Sequence, residues 1–190
     1  MEYNEDIYWN ERIKTVGFLH EGGTKFSKEE RGYYGKYIFQ GASILDYGAG
    51  DGKLMPLFQE YSCDVVFYDI VEDFKHLIEA RYKELGCSFK YEHYTQTSYT
   101  KFDINKRFDI VYCASVLMHV RPEKIVWLLK EMKRLAGDGI VLCIAYQNRQ
   151  DKAYQPGYYC FNHDYETFFR ENCIELKEYI YNNQVAFFKY

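Results

Sequence analysis

The chain has 190 residues, 47% hydrophobic and 27% charged, enough to bury one ordinary core without metal or disulfide staples. Its net charge of −4 gives no general basic surface, so no nucleic-acid partner is expected, because binding a polynucleotide rests on neutralising several phosphates. Six cysteines without paired spacing, Cys113 and Cys143 among them inside apolar runs, point to reduced thiols in the cytoplasm and to no metal site; no signal peptide and no apolar run of bilayer length is expected, hence no membrane partner.

In chain order, Ile44-Leu45-Asp46-Tyr47 reads as a buried strand running into Gly48-Ala49-Gly50-Asp51-Gly52. Helical spacing follows over Lys53–Tyr61 at Leu54, Leu57 and Phe58, then a second strand over Cys63–Asp69. Phe74, Leu77, Ile78 and Tyr82 predict a helix over Val71–Leu85, closed by Gly86 as its C-cap glycine. Ser88–Tyr94 and Phe108–Cys113 read as the third and fourth strands, Pro122 opens a helix to about Leu135, and the uncharged run Gly139–Ala145 is a fifth strand. A helix over Asp164–Glu171 precedes two strand-like runs, Ile174–Tyr181 and Val185–Tyr190, joined by Asn182-Asn183-Gln184 as a hairpin. Alternating strand and helix implies an α/β fold with a parallel sheet and right-handed crossovers.

Glycines at 48, 50 and 52 remove every second side chain where a strand turns toward a helix, so a nucleotide-like ligand gains access to backbone N–H groups; a tight turn without ligand is the alternative. Asp69 ends the second strand, where an acid in a doubly wound sheet accepts hydrogen bonds from a ribose diol; it also suits a helix cap near Val71. The dinucleotide fingerprint Gly-x-Gly-x-x-Gly is not met, because Lys53 stands at its last glycine.

Asp46, Gly48, Gly50 and Gly52 resemble the first motif of the class I S-adenosylmethionine-dependent methyltransferases, an acid, any residue and three alternating glycines. That resemblance covers residues 40 to 190 and implies a Rossmann-like, doubly wound, mostly parallel seven-stranded sheet with an antiparallel C-terminal hairpin. The whole chain is then one methyltransferase domain, with residues 41–190 as core and residues 1–40 as an amino-terminal segment. The cofactor is S-adenosyl-L-methionine, leaving as S-adenosyl-L-homocysteine. Asp46 would stand near the methionine amino group, Asp69 on the ribose hydroxyls, and Tyr47, Gly48, Ala49, Gly50 and Ile70 along the cofactor. Gln96 or Thr97 would meet the adenine, although the acid common in the family after the third strand is missing.

Ala114-Ser115-Val116-Leu117-Met118-His119-Val120-Arg121-Pro122 resembles a stretch of the small-molecule and natural-product methyltransferases, and neither the amino-methylating nor the cytosine motif of the nucleic-acid enzymes is present. Loops at the carboxyl end of central strands face the ligand crevice, which brings Cys113, Ala114 and Met118 toward the cofactor. His119 is then either a general base or a residue that shapes the loop, and His163 is either a second base or structural. Tyr8-Trp9-Asn10-Glu11-Arg12 followed by Gly22-Gly23 resembles an aromatic cap, or is a helix on the sheet edge. Trp9 and Arg12, with Tyr146 and Arg149 of the polar segment 146–162, are the substrate candidates. Lys124, Lys130, Lys133 and Arg134 read as a solvated helix face. The function expected is methyl transfer to O, N or C of a small metabolite or sugar-like intermediate; the alternatives are a protein or RNA methyltransferase with a docking partner, or a cofactor-binding member without turnover.

Overall fold

The computed structural model describes residues 5–16, 28–96, 102, 104–147, 160–182 and 185–190. Thr97, Arg149 and the Gly22-Gly23 pair lie outside them. Seven strands form one mixed sheet in the order β3-β2-β1-β4-β5-β7-β6, and the chain divides into two compact units, residues 1–98 and 99–190.

The first unit holds α1 (Glu5–Val16), α2 (Lys28–Gly35), β1 (Ser43–Tyr47), α3 (Met55–Glu60), β2 (Asp64–Asp69), α4 (Phe74–Glu84) and β3 (Lys90–Thr95). Strand β1 pairs in parallel with β2, and β2 with β3. Ile44, Leu45, Val65, Val66 and Phe67 are fully buried, the near-continuous apolar pattern of a parallel sheet covered on both faces. Strand β3 is the polar one, with Lys90, Glu92 and Tyr94 exposed. Gly86 ends α4 as expected: Cys87 N donates to Tyr82 O at 3.0 Å and Gly86 N to Lys83 O at 3.1 Å, the paired bonds of a Schellman cap. Residues 51–54 are turns, so α3 starts two residues after the expected Lys53, at Met55 with Pro56 in its first turn. Helices α1 and α2 precede β1, and α2 is fixed by buried Tyr33 and Tyr34 and by Lys53 donating to Glu30 at 2.8 Å.

The second unit holds β4 (Ile110–Ala114), α5 (Pro122–Ala136), β5 (Ile140–Tyr146), α6 (Tyr165–Glu171), β6 (Glu178–Asn182) and β7 (Val185–Lys189). Strands β4 and β5 are parallel, whereas β7 runs antiparallel to both β5 and β6. The expected hairpin forms, but its first strand starts at Glu178, since residues 174–177 precede the ladder. Pro122 stands at the start of α5, whose buried stripe is Ile125, Leu128, Leu129, Met132 and Leu135. Its cations are tied inward as well as solvated: Arg134 bonds Glu131 and Phe102 O, and Lys133 Nζ donates to Gly139 O at 2.9 Å.

Gly139 is held between strands with no room for a side chain. A Cβ there would fall well inside contact distance of the Phe108 and Asp109 carbonyl oxygens, and Asp109 O is already bonded by Ile140 N at 3.0 Å. Gly139→Ala should lower the unfolding free energy by about 3 kcal/mol in urea titrations.

Candidate active site

In the first unit the glycine loop follows β1 directly, and its backbone turns left-handed three times, at Gly48 (φ 72°), Gly50 (φ 52°) and Gly52 (φ 76°). Side chains rarely adopt these angles. Gly48 N and Ala49 N both donate to Tyr68 O, at 2.8 and 3.1 Å, anchoring the loop on β2. A Cβ on Gly50 would lie 4.0 Å from Phe74 Cε1, an ordinary contact, so the loop backbone there is not crowded.

Three carboxylates converge on this loop. Asp69 accepts from Gly50 N at 2.9 Å through Oδ2 and from Val71 N at 3.2 Å through Oδ1. Asp69 thus stands at the end of β2 as expected, whereas its bond to Val71 N closes a turn rather than capping a helix, since α4 starts later, at Phe74 after Asp73. Burial pushes its pKa up to about 6, against the lowering effect of the Gly50, Val71 and Ile70 N–H groups. Asp46 is 3% exposed; burial, with Asp69 and Asp51 as like charges, pushes its pKa up to about 8. Asp51 is held by Arg81 of α4, whose guanidinium donates to the Asp51 carboxylate and, at 2.8 Å, to its backbone carbonyl. Sequence reading missed Arg81, because the pair spans 30 residues and no local pattern marks it.

The other candidates of this unit have defined surroundings. Tyr47 is buried and stacks on Tyr68, ring centroids 4.9 Å apart, so its ring is engaged inside the unit. Gln96 N donates to Asp69 O at 3.3 Å, and Tyr68 Oη donates to Gln96 O at 3.2 Å, which brings Gln96 to the same strand ends as Asp69. Ile70 is half-buried next to it. Trp9 and Arg12 lie on α1, Trp9 edge-on to Tyr8 at 5.0 Å and the Arg12 guanidinium 5.8 Å above the Tyr8 ring.

In the second unit β4 ends at Ala114, and Ser115 takes φ 58°, an unusual conformation for a residue with a side chain. A short 3-10 turn, Leu117–His119, follows. Met118 and His119 are half-buried, and His119 Nδ1 lies 3.9 Å from Cys160 Sγ. Cys113 is fully buried, directly opposite Cys143 on β5. Its side chain is thus committed to the interior. His163 is 3% exposed, and its Nε2 lies 3.0 Å from Leu117 O and 2.8 Å from Val120 O. Burial pushes its pKa down to about 4. Asp164 caps α6 by accepting from Thr167 N at 3.2 Å. Tyr146 ends β5, half-buried, opposite Val185. Among the described residues, no group of His, Cys, Asp or Glu is arranged to hold a metal, and no helix is long and apolar enough to cross a membrane.

The donor set suits a ligand that carries positive charge, a diol and a base: buried carboxylates, open backbone at Gly50 and a polar strand end at Gln96. The sheet order and this loop together define an α/β protein of the methyltransferase type. A family profile described as a methyltransferase domain matches residues 44–139, just over half of the chain, and the chain belongs to the class I S-adenosylmethionine-dependent methyltransferases. Comparison with curated proteins gives no significant match. Among solved structures, magnesium protoporphyrin IX methyltransferase from Synechocystis PCC 6803 with bound S-adenosylmethionine is similar with a TM-score of 0.71 and 15% identity, covering 99% of this chain and 97% of that one. A SAM-dependent methyltransferase from Aquifex aeolicus gives 0.60 and 14%, covering 99% of each chain. A Rhodobacter sphaeroides protein described as a Zn-dependent alcohol dehydrogenase gives 0.75 and 12%, covering 100% and 98%. Likeness at these identities shows the fold alone, and the glycine spacing and family match separate the methyltransferase from the dehydrogenase.

Proposed function

We propose that this protein transfers a methyl group from S-adenosylmethionine to an O, N or C atom of a small metabolite, and that residues 1–190 act as one methyltransferase domain in the reducing cytoplasm. The family match runs across residue 98, from one compact unit into the other, which supports a single functional domain. The observation that carries the reading is the buried carboxylate of Asp69 hydrogen-bonded to Gly50 N. It fixes the loop and keeps lone pairs for a ribose diol.

When bound, the cofactor supplies an electrophilic methyl on a sulfonium. In this reading Asp46 faces the cationic methionine end, Asp69 takes the ribose, Gly48, Ala49, Gly50 and Ile70 supply backbone, and Gln96 with Thr97 meets the adenine. Ala114 and Met118 serve the cofactor through backbone and side chain; Cys113 serves through backbone only, since its side chain is fully buried. His119 removes the acceptor proton, a contribution of about 10²- to 10⁴-fold where the acceptor must lose one. His163 is set aside as base, because both its hydrogen-bond partners are carbonyls and burial disfavours its protonation. Trp9, Arg12, Tyr146 and Arg149 select the acceptor. The net charge of −4 favours a small acceptor over RNA. Methyl-release assays over a metabolite panel test the reading; the expected result is turnover of at least one small acceptor, reduced about 100-fold or more in His119→Ala.

Binding should also depend on pH. Asp46 and Asp69 hold protons more tightly folded than unfolded, so their contribution to stability is full below about pH 4 and is lost as pH rises through about 6 and 8. A cationic ligand favours the ionised forms. Affinity for S-adenosylmethionine should therefore rise from pH 6 to 8, with net proton release at pH 7 measured by calorimetry in buffers of different ionisation enthalpy and absent in Asp46→Asn.

A further inference from the structure

A three-residue 3-10 helix leaves its last carbonyls without partners of its own. Around Leu117–His119 these carbonyls are met from outside as well as inside. His119 N donates to Val116 O at 2.8 Å and Val120 N to Leu117 O at 3.1 Å, while Phe161 N donates to Met118 O at 2.6 Å. His163 Nε2 then bridges Leu117 O and Val120 O. Carbonyls only accept, so Nε2 carries the hydrogen and the ring, being buried, is the neutral tautomer with a bare Nδ1. Phe161, Tyr165 and Phe168 surround that ring at 5.7 to 6.0 Å between centroids. Residues 160–163 thus clasp the turn at three points, two by hydrogen bonds and one where Cys160 Sγ faces His119 Nδ1.

We propose that His163 is a positioning residue, whose shared Nε2–H holds the 117–120 turn in the one shape that presents His119. The proposal rests on the reading of His119 as the base for its purpose, but not for its geometry. A strut with one donor between two acceptors resists both unwinding of the turn and sliding of the segment past it. The same task needs a donor at that reach, which a glutamine amide supplies and a leucine does not.

The test is nitrogen-15 spectroscopy of the protein labelled at its five histidines, with S-adenosylhomocysteine calorimetry as a control and no methyl acceptor required. In the wild type, His163 is expected to stay neutral with hydrogen on Nε2 from about pH 5.5 to 8. His119 is expected to keep its tautomer and midpoint in His163→Gln, and to broaden or move by about 0.5 pH unit in His163→Leu. A wild-type His163 that titrates near neutral pH, or carries its hydrogen on Nδ1, overturns the proposal. So does a His119 signal unchanged in His163→Leu. Should the leucine variant fail to fold, a displaced His119 signal in His163→Gln overturns it and a wild-type one supports it. Full turnover by His119→Ala would remove the base reading while leaving these spectra to decide the clasp.

Discussion

Asp69→Ala should weaken S-adenosylmethionine binding by about 100-fold or more. Two charge-assisted bonds to a ribose diol are each worth about 1.5 to 3 kcal/mol, and about 2.7 kcal/mol corresponds to 100-fold in affinity. The loss has a second source inside the protein. Gly50 N and Val71 N both donate to this carboxylate, so the alanine variant leaves two backbone donors without their acceptor and releases the loop that approaches the ligand. Asp69→Asn keeps one carbonyl oxygen for Gly50 N and loses the charge, and its affinity should fall between the two. Calorimetry on all three proteins orders them; equal affinity of Asp69→Ala and wild type would place the ribose elsewhere.

Arg81→Met should cost about 3 kcal/mol of stability, measured by urea denaturation. The pair is sheltered, with the Arg81 and Asp51 side chains 13% and 7% exposed, and removing one partner of a buried pair leaves an uncompensated charge worth about 3 to 5 kcal/mol. Here that charge would stand beside Asp46, which already suffers from Asp51 and Asp69 as like charges. Adding Asp51→Asn to Arg81→Met should return most of the loss, since the neutral amide needs no cation. Arg81→Met should also raise the pKa of Asp46 further, so its cofactor affinity should fall most at low pH. A variant as stable as wild type would show the pair to be solvated.

The sheet was legible because its inner strands carry unbroken apolar runs, Ile44–Leu45, Val65–Phe67, Ile110–Cys113 and Val141–Ala145, each buried. Turn chemistry marked the hairpin and Gly86 equally well. Element starts were less legible. The left-handed turns at Gly50 and Gly52 delay α3 to Met55, although Leu54 already has helical spacing. Residues 174–177 have strand-like character but precede the first ladder pair at Glu178. Helix α2 was hidden, because Lys28-Glu29-Glu30-Arg31 shows no apolar period and its buried residues, among those described, are Tyr33 and Tyr34. In the candidate site, Asp46, the glycines and Asp69 were readable from spacing. Arg81, the pairing of Cys113 with Cys143 across β4 and β5, and the grip of His163 on the 117–120 turn were not, since each joins positions 30 to 46 residues apart. Long-range partners of this kind leave no period in the sequence.

The most direct measurement for the central claim is calorimetric titration of the full chain with S-adenosylmethionine and S-adenosylhomocysteine at pH 8, alongside Gly50→Val. A side chain at Gly50 meets an unfavourable φ of 52° and covers the backbone that would approach the ligand. One-to-one binding of both ligands by the wild type is expected, with loss of both in Gly50→Val and the fold retained by circular dichroism. No binding by the wild type, or equal binding by the folded valine variant, would show that the glycine loop does not hold the cofactor.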